Sequence, residues 1–262
     1  MRTTHKRKWF SQARKKVRTT RPWETRAYPS GRQEFVPREK GIAKKIGLKR
    51  REKVLFFAGC FGDWASAIAD TCEVKYTDIS TSMMNSAKNK GKIKSFRIDN
   101  AILAPRRKKV YDWSVSFEPY PVAMTRGINM TLVRSLLNNK GLVMVFSPKK
   151  IRGSPLRKFF KDRAKRIAEL YGAKFEEENL IIHGEGKEGI ENRQSYLLRI
   201  RTNSQAREKA HLDVRVLMFL EKRGTLTTSK LAQLTKTSTI KVEESLKRIN
   251  ALGRLKSIME TH

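Results

Sequence analysis

The sequence predicts an α/β fold: an open, mostly parallel sheet covered by helices on both faces, followed by a small helical domain. Three observations predict it. At Lys53 a strongly basic stretch gives way abruptly to short apolar runs that alternate with helix-length segments. This strand-helix-strand rhythm continues to about residue 146, and a long helix and two further strand-like runs follow it. After residue 202 the pattern changes again, to three short helical faces.

Each element has its own reason. Residues 54–57 are uniformly apolar, as suits a strand buried on both faces. Residues 63–70 read as a helix and 74–77 as a second strand, after which Ser80 is placed to cap a helix over 80–88. Strands are expected at 95–98, 113–117 and 142–146, with a helix over 130–138 between the last two. The helix over 155–171 repeats basic residues every three or four positions, which puts them on one face. The runs 179–183 and 195–200 are separated by the turn-rich GEGKEGIEN, so the expected sheet has seven strands and ends in a hairpin. Beyond the polar linker Thr202-Asn203-Ser204, helical faces are carried by Leu212, Val216, Leu217 and Leu220, by Leu231 and Leu234, and by Val242, Leu246 and Ile249. Leu255 and Ile258 close a short strand, and three helices with a final β-ribbon resemble a winged helix over 206–262.

Charge narrows the partner. The chain has 262 residues, 58 of them Lys or Arg against 25 Asp or Glu, for a formal net charge of +33. Self-repulsion on that scale fits a protein that meets a polyanion. No apolar run is long enough to span a bilayer, so nucleic acid is the expected partner and a membrane is not. Residues 1–52 hold eighteen Lys and Arg against four Glu, with Trp9, Phe10, Trp23, Tyr28 and Phe35 threaded between them. Aromatics in such company can stack on exposed bases. The candidate RNA-binding residues of this extension are Lys6, Arg7, Lys8, Trp9, Arg14, Lys15, Lys16, Arg18 and Trp23; a solvated targeting or solubilising tail is the other reading. Cys60 and Cys72 are not spaced like a metal knuckle and the four histidines are scattered, so free thiols in a reducing compartment and no metal site are expected.

The candidate chemistry lies at strand ends. The first strand runs into VLFFAGCFGDW, where Gly59 and Gly62 allow a tight turn. Asp78 ends the second strand in VKYTDIS, Asp99 follows the third in FRIDNAI, and the fourth leads into SVSFEPYP. In this order the motifs of residues 53–202 resemble the class I S-adenosylmethionine-dependent methyltransferases, with their seven-stranded Rossmann-like sheet. The resemblance implies a cofactor site at Ala58, Gly59, Gly62, Asp78 and Asp99, with Asp78 on the ribose hydroxyls and Asp99 near the adenine. Ala58, Cys60 and Gly62 stand at the three glycine positions of that family's first turn, and Phe56 stands where it carries an acid. Two of the three glycines are therefore replaced, which leaves open a chain that holds no cofactor. Members acting on base nitrogens carry Asn or Asp, then Pro and an aromatic, after the fourth strand. Glu118, Pro119 and Tyr120 are the corresponding catalytic candidates, with a proline-stiffened packing loop as the other reading.

Substrate in such a sheet sits beyond the C-terminal strand ends. The basic residues Lys149, Lys150, Arg152, Arg157 and Lys158 follow the fifth strand and are candidates for phosphate contact. The candidate recognition helix of the winged helix mixes Lys241, Lys247 and Arg248 with Glu243 and Glu244, so DNA is not the expected partner. The extension resembles those that anchor ribosomal proteins in rRNA. The leading expectation is a cytoplasmic, ribosome-associated, rRNA-binding protein, a subunit component or assembly factor, that uses a methyltransferase-like scaffold. The alternative is an active S-adenosylmethionine-dependent RNA methyltransferase, and a DNA-binding regulator ranks last.

Overall fold

The computed structural model describes residues 35–38, 41–57, 61–78, 81–93, 95–98, 111–117, 128–146, 155–186 and 189–253. Eight strands form one mixed sheet: β1 (Val36–Pro37), β2 (Lys53–Phe57), β3 (Glu73–Asp78), β4 (Ser95–Ile98), β5 (Trp113–Phe117), β6 (Gly141–Phe146), β7 (Lys174–Gly186) and β8 (Gly189–Arg201), in the order β1-β7-β8-β6-β5-β2-β3-β4. The neighbours from β4 to β6 pair in parallel, and β8, β7 and β1 join antiparallel. Parallel strands need covered faces, and β5 and β6 are buried at every position.

The two-residue strand period divides the core cleanly. In β6, Val143 and Val145 join one cluster with Phe56, Tyr76, Val115 and Phe117, whereas Leu142, Met144 and Phe146 join another on the opposite face. The first face is covered by α1 (Ile42–Lys45), α2 (Asp63–Ala69) and α3 (Thr81–Asn89), through Ile42, Trp64, Ile68 and Met84 among others. The second is covered by α4 (Ile128–Ser135) and α5 (Pro155–Tyr171), through Leu132, Val133, Phe160, Ala164 and Ile167.

The structure departs from the expected division in three places. The extension does not end at residue 52 in packing terms: Phe35, Ile42, Ala43, Ile46 and Leu48 are buried in the first core cluster, and β1 adds an eighth strand to the expected seven. The reason is the far end of β7, which β1 pairs with at Val36–Glu185 and Pro37–Gly184. A side chain at Gly184 would sit 2.4 Å from the Phe35 ring and 2.5 Å from the Val36 carbonyl, so glycine is what lets the segment pass. Second, GEGKEGIEN is mostly strand, because cross-strand pairing runs unbroken to Gly186–Gly189 and gives a hairpin of two 13-residue strands.

Third, no linker separates the C-terminal helices. Asn203 caps α6 (Ser204–Arg223), its side chain accepting the Ala206 N–H at 2.7 Å, so Ser204 already belongs to the helix. Thr227 and Ser238 cap α7 (Thr228–Thr235) and α8 (Thr239–Ala251) in the same way. The three helices enclose a third cluster built on Val216, Leu217, Leu220, Leu231, Val242 and Ile249. Met130 of α4 belongs to it, while Ala206, Ala210 and Leu252 belong to the cluster under the sheet. Asp213, fully buried, accepts the Tyr171 hydroxyl at 2.6 Å and both arms of Arg248 at 2.7 and 3.0 Å, which ties α5, α6 and α8 together. Burial and the Asp213 charge push the Tyr171 hydroxyl pKa up, so it stays a donor. Arg248 therefore faces inward rather than toward a nucleic acid. Leu255 and Ile258, the expected ribbon, lie outside the described residues.

Candidate functional site

The site follows from strand order. The chain steps outward from β2 to β3 and β4, then crosses back to β5 on the other side of β2. An open parallel sheet leaves a crevice at such a reversal, outside the C-terminal strand ends. The chain segments that follow β2 and β5, which carry Ala58 and Gly59 on one side and Glu118, Pro119 and Tyr120 on the other, leave from these two adjacent strands. Those five residues, with Asp99, Lys149, Lys150 and Arg152, lie outside the described residues. So do Lys6, Arg7, Lys8, Trp9, Arg14, Lys15, Lys16, Arg18 and Trp23.

Asp78 is described, and its placement is informative. It is the last residue of β3, beside Ile98 of β4 and one step beyond the Phe57–Thr77 pair. Asp99 thus follows directly from its neighbour on β4. Although it lies at the rim, Asp78 is only 6% exposed. A buried carboxylate is kept only where donors meet it.

Gly62 begins α2 from the left-handed region, with φ 80°. A side chain there would stand 2.5 Å from the Cβ of Ala87 on α3, so the turn holds α2 and α3 together as well as bending the chain. Asp63, next in line, takes an ion pair from Lys90 at 2.5 Å.

Beneath the crevice the sheet carries an aromatic layer that sequence reasoning missed. Trp64 stacks on Phe117 with ring centroids 3.6 Å apart, and Phe56 lies between Phe117 at 5.8 Å and Tyr76 at 6.4 Å, nearly parallel to both. Phe56 is fully buried. The position at which the resembled family carries an acid is here part of a hydrophobic stack. The only signal for it in the sequence was the same substitution that weakened the motif.

The basic face expected on α5 is partly spent on structure. Lys161 pairs with Glu177 at 2.7 Å, Arg163 lies over the Phe159 ring and donates to Asn129, and Arg166 donates to the carbonyl of Ala251 at the end of α8. Partial burial, then the nearby Arg166, lowers the Arg163 pKa from its ordinary value. Lys158 and Lys165 remain exposed and make no ion pair among the described residues, and Arg157 lies in the first turn of the helix. On α8 the exposed charges are Lys241, Lys247, Glu243 and Glu244, which balance.

No family model matches the chain, and no curated protein matches it. Among the solved structures that the chain resembles in general build are three methyltransferases. One is the 23S rRNA methyltransferase ErmE, 12% identical, covering 82% of this chain and 99% of that one with a TM-score of 0.41. Another is the magnesium protoporphyrin IX methyltransferase of Synechocystis with bound SAH, 16% identical over 62% of this chain and 79% of that one, TM-score 0.44. A third is the N-methyltransferase NodS of Bradyrhizobium japonicum, 12% identical over 62% and 93%, TM-score 0.46. These are likenesses of general build. At this end of the sheet the described residues place a buried carboxylate at the end of β3, a left-handed glycine at the start of α2 and a stack of aromatic rings.

Proposed function

We propose that the chain is an S-adenosylmethionine-dependent methyltransferase acting on RNA. The observation that carries this reading is Asp78, a buried carboxylate at the rim of the switch-point crevice, one residue beyond the β2–β3 pairing. Asp78 would hold the cofactor's ribose, Asp99 would lie by its adenine, and Gly59 and Gly62 would let the backbone approach its amino-acid end. When bound, the cofactor supplies an electrophilic methyl group. Glu118 would accept a hydrogen bond from a target base nitrogen, and Tyr120 would stack on the base. RNA as the substrate is supported by the net charge of +33 and by the aromatic-studded basic residues 1–34. We place the target in ribosomal RNA, with the extension as anchor, and take the C-terminal helices as a winged helix that contacts protein rather than reading DNA.

Calorimetric titration with S-adenosylmethionine tests the reading. Binding is expected, and Asp78→Ala should abolish it; absence of heat at millimolar cofactor overturns it. A second reading, a ribosome-associated scaffold that has kept the shape without the cofactor, is favoured by Ala58 and Cys60 in the turn and by the burial of Phe56 in the aromatic stack. The scaffold reading requires co-sedimentation with a ribosomal subunit in the absence of any cofactor affinity. Deleting residues 1–34 should release the protein from the subunit, and unchanged association would remove the extension as anchor.

A further inference from the structure

We infer that the turn Lys49-Arg50-Arg51, on the rim opposite the crevice, is a second, preformed surface for the phosphate backbone of RNA. This goes beyond the proposed activity and holds whether or not a cofactor binds.

The turn is built with unusual care for a surface loop. Glu52, 6% exposed, sits directly behind it. One Glu52 carboxylate oxygen accepts the Lys49 N–H at 2.8 Å and the Trp113 indole N–H at 3.0 Å, and the other meets the Lys140 ammonium. The Lys49 carbonyl accepts the Glu52 N–H and the thiol of Cys72, while Arg51 donates its N–H to the Thr71 carbonyl at 2.9 Å. Burial, with the charges of Glu52 and Asp112 behind it, pushes the Cys72 thiol up to about 12, so it stays protonated and donating. Arg51 itself is held at φ 65°, a conformation that glycine or asparagine would occupy more easily. Strain kept in place by surrounding bonds is a mark of a position with a task.

What the turn presents is charge alone. Lys49, Arg50 and Arg51 are exposed, as are Lys44 and Lys53 beside them in the chain, and none of the five makes an ion pair among the described residues. The acids on this rim do not cancel them. Glu52 is buried and paired; Asp112 is engaged by the Lys53 N–H and the Asn139 amide; Glu73 is the one exposed acid in the β2–β3 register there. A membrane site would combine the charge with apolar groups that insert, but the large exposed apolar residues described are Ile181, Ile190 and Ile240, all elsewhere. The turn is also too short to enter a duplex groove and read base edges. Contact with phosphates is what its chemistry suits, and pre-ordering lowers the entropic cost of that contact.

The test uses the full chain and fluorescence anisotropy with a labelled RNA hairpin of about 20 base pairs, titrated with salt. Lys49→Gln, Arg50→Gln and Arg51→Asn together should weaken binding at least tenfold and lower the salt slope by about two to three, the loss of three phosphate contacts. The asparagine keeps the backbone of position 51. The charge-keeping set Lys49→Arg, Arg50→Lys and Arg51→Lys should retain affinity and slope. Lys209→Gln, Lys222→Gln and Lys230→Gln, which remove equal charge from the C-terminal helices, should cost much less. Equal losses in the two neutralised sets would overturn the inference, as would an unchanged slope. So would a loss confined to a DNA duplex or to anionic phosphatidylserine vesicles. Cofactor titration of the same variants is expected to be unchanged, which keeps this outcome separate from that of the crevice.

Discussion

The parallel half of the sheet, β2 to β6, and the β7–β8 hairpin are stabilised by different physics. Strands β5 and β6 are buried at every position, and the aromatic stack of Phe56, Tyr76, Phe117 and Trp64 fills one face. The hairpin carries charges into its covered face instead. Arg199, 7% exposed, donates to Glu176 at 2.9 Å and to the Ile46 carbonyl at 3.0 Å. Arg193 lies over the Phe35 ring and pairs with Glu191. Lys174 and Arg201 complete the set around Glu176. The difference teaches that residues 35–48 do more than lead into the sheet: they cover the hairpin face that carries Arg193 and Arg199, and Arg199 fastens them there.

This contrast can be broken or sharpened by measurement. The largest effect is expected at Trp113, buried in the parallel half and bonded to Glu52. Trp113→Ala should cost about 3–5 kcal/mol by urea unfolding, from the cavity and the lost donor. Next comes Arg199→Ala, which removes the buried partner of Glu176 and leaves the Ile46 carbonyl without its donor. Because Glu176 is partly exposed, about 2–3 kcal/mol is expected, and a cost below about 0.5 kcal/mol would dissolve the distinction between the halves.

Acid should act on the hairpin through Glu176. Burial tends to raise the Glu176 pKa, but hydrogen bonds from Arg199, Lys174 and Arg201 outweigh it and hold the carboxyl at about 2, against an ordinary 4.5. A carboxylate with a depressed folded pKa gives stability that is present above its unfolded value and lost as pH falls. Unfolding midpoints should therefore drop between about pH 4.5 and 2, and Glu176→Gln should flatten that part of the profile. An identical profile in the variant would show that the charge cluster is idle. The smallest effect is expected at Ile190, 73% exposed near the hairpin tip, where Ile190→Thr should change stability by no more than about 0.5 kcal/mol.

The same difference explains what could be read from the sequence. The bounds of β4, β5 and α5 were legible to the residue, because charged or turn-forming residues flank each of them. The hairpin was seen only at its apolar centre. Its ends alternate Glu, Arg, Asn and Gly, a composition that looks like loop until cross-strand partners supply the hydrogen bonds. The place of Asp78 at the end of β3 was legible from the strand pattern; the Trp64–Phe117 stack was not, because nothing local says that residues on a helix and a distant strand will meet.

By itself, then, the sequence determined the class of fold and the strongly positive charge of the chain, since periodicity and net charge are local or additive properties. Only the tertiary structure decided that residues 35–48 belong to the sheet and that the C-terminal helices share its core. It alone turned Arg248 inward onto Asp213 and left Lys49, Arg50 and Arg51 outward over a buried Glu52. A basic residue has the same local signature in either role. Which one becomes a structural ion pair and which a free surface charge depends on whether folding brings a carboxylate within reach.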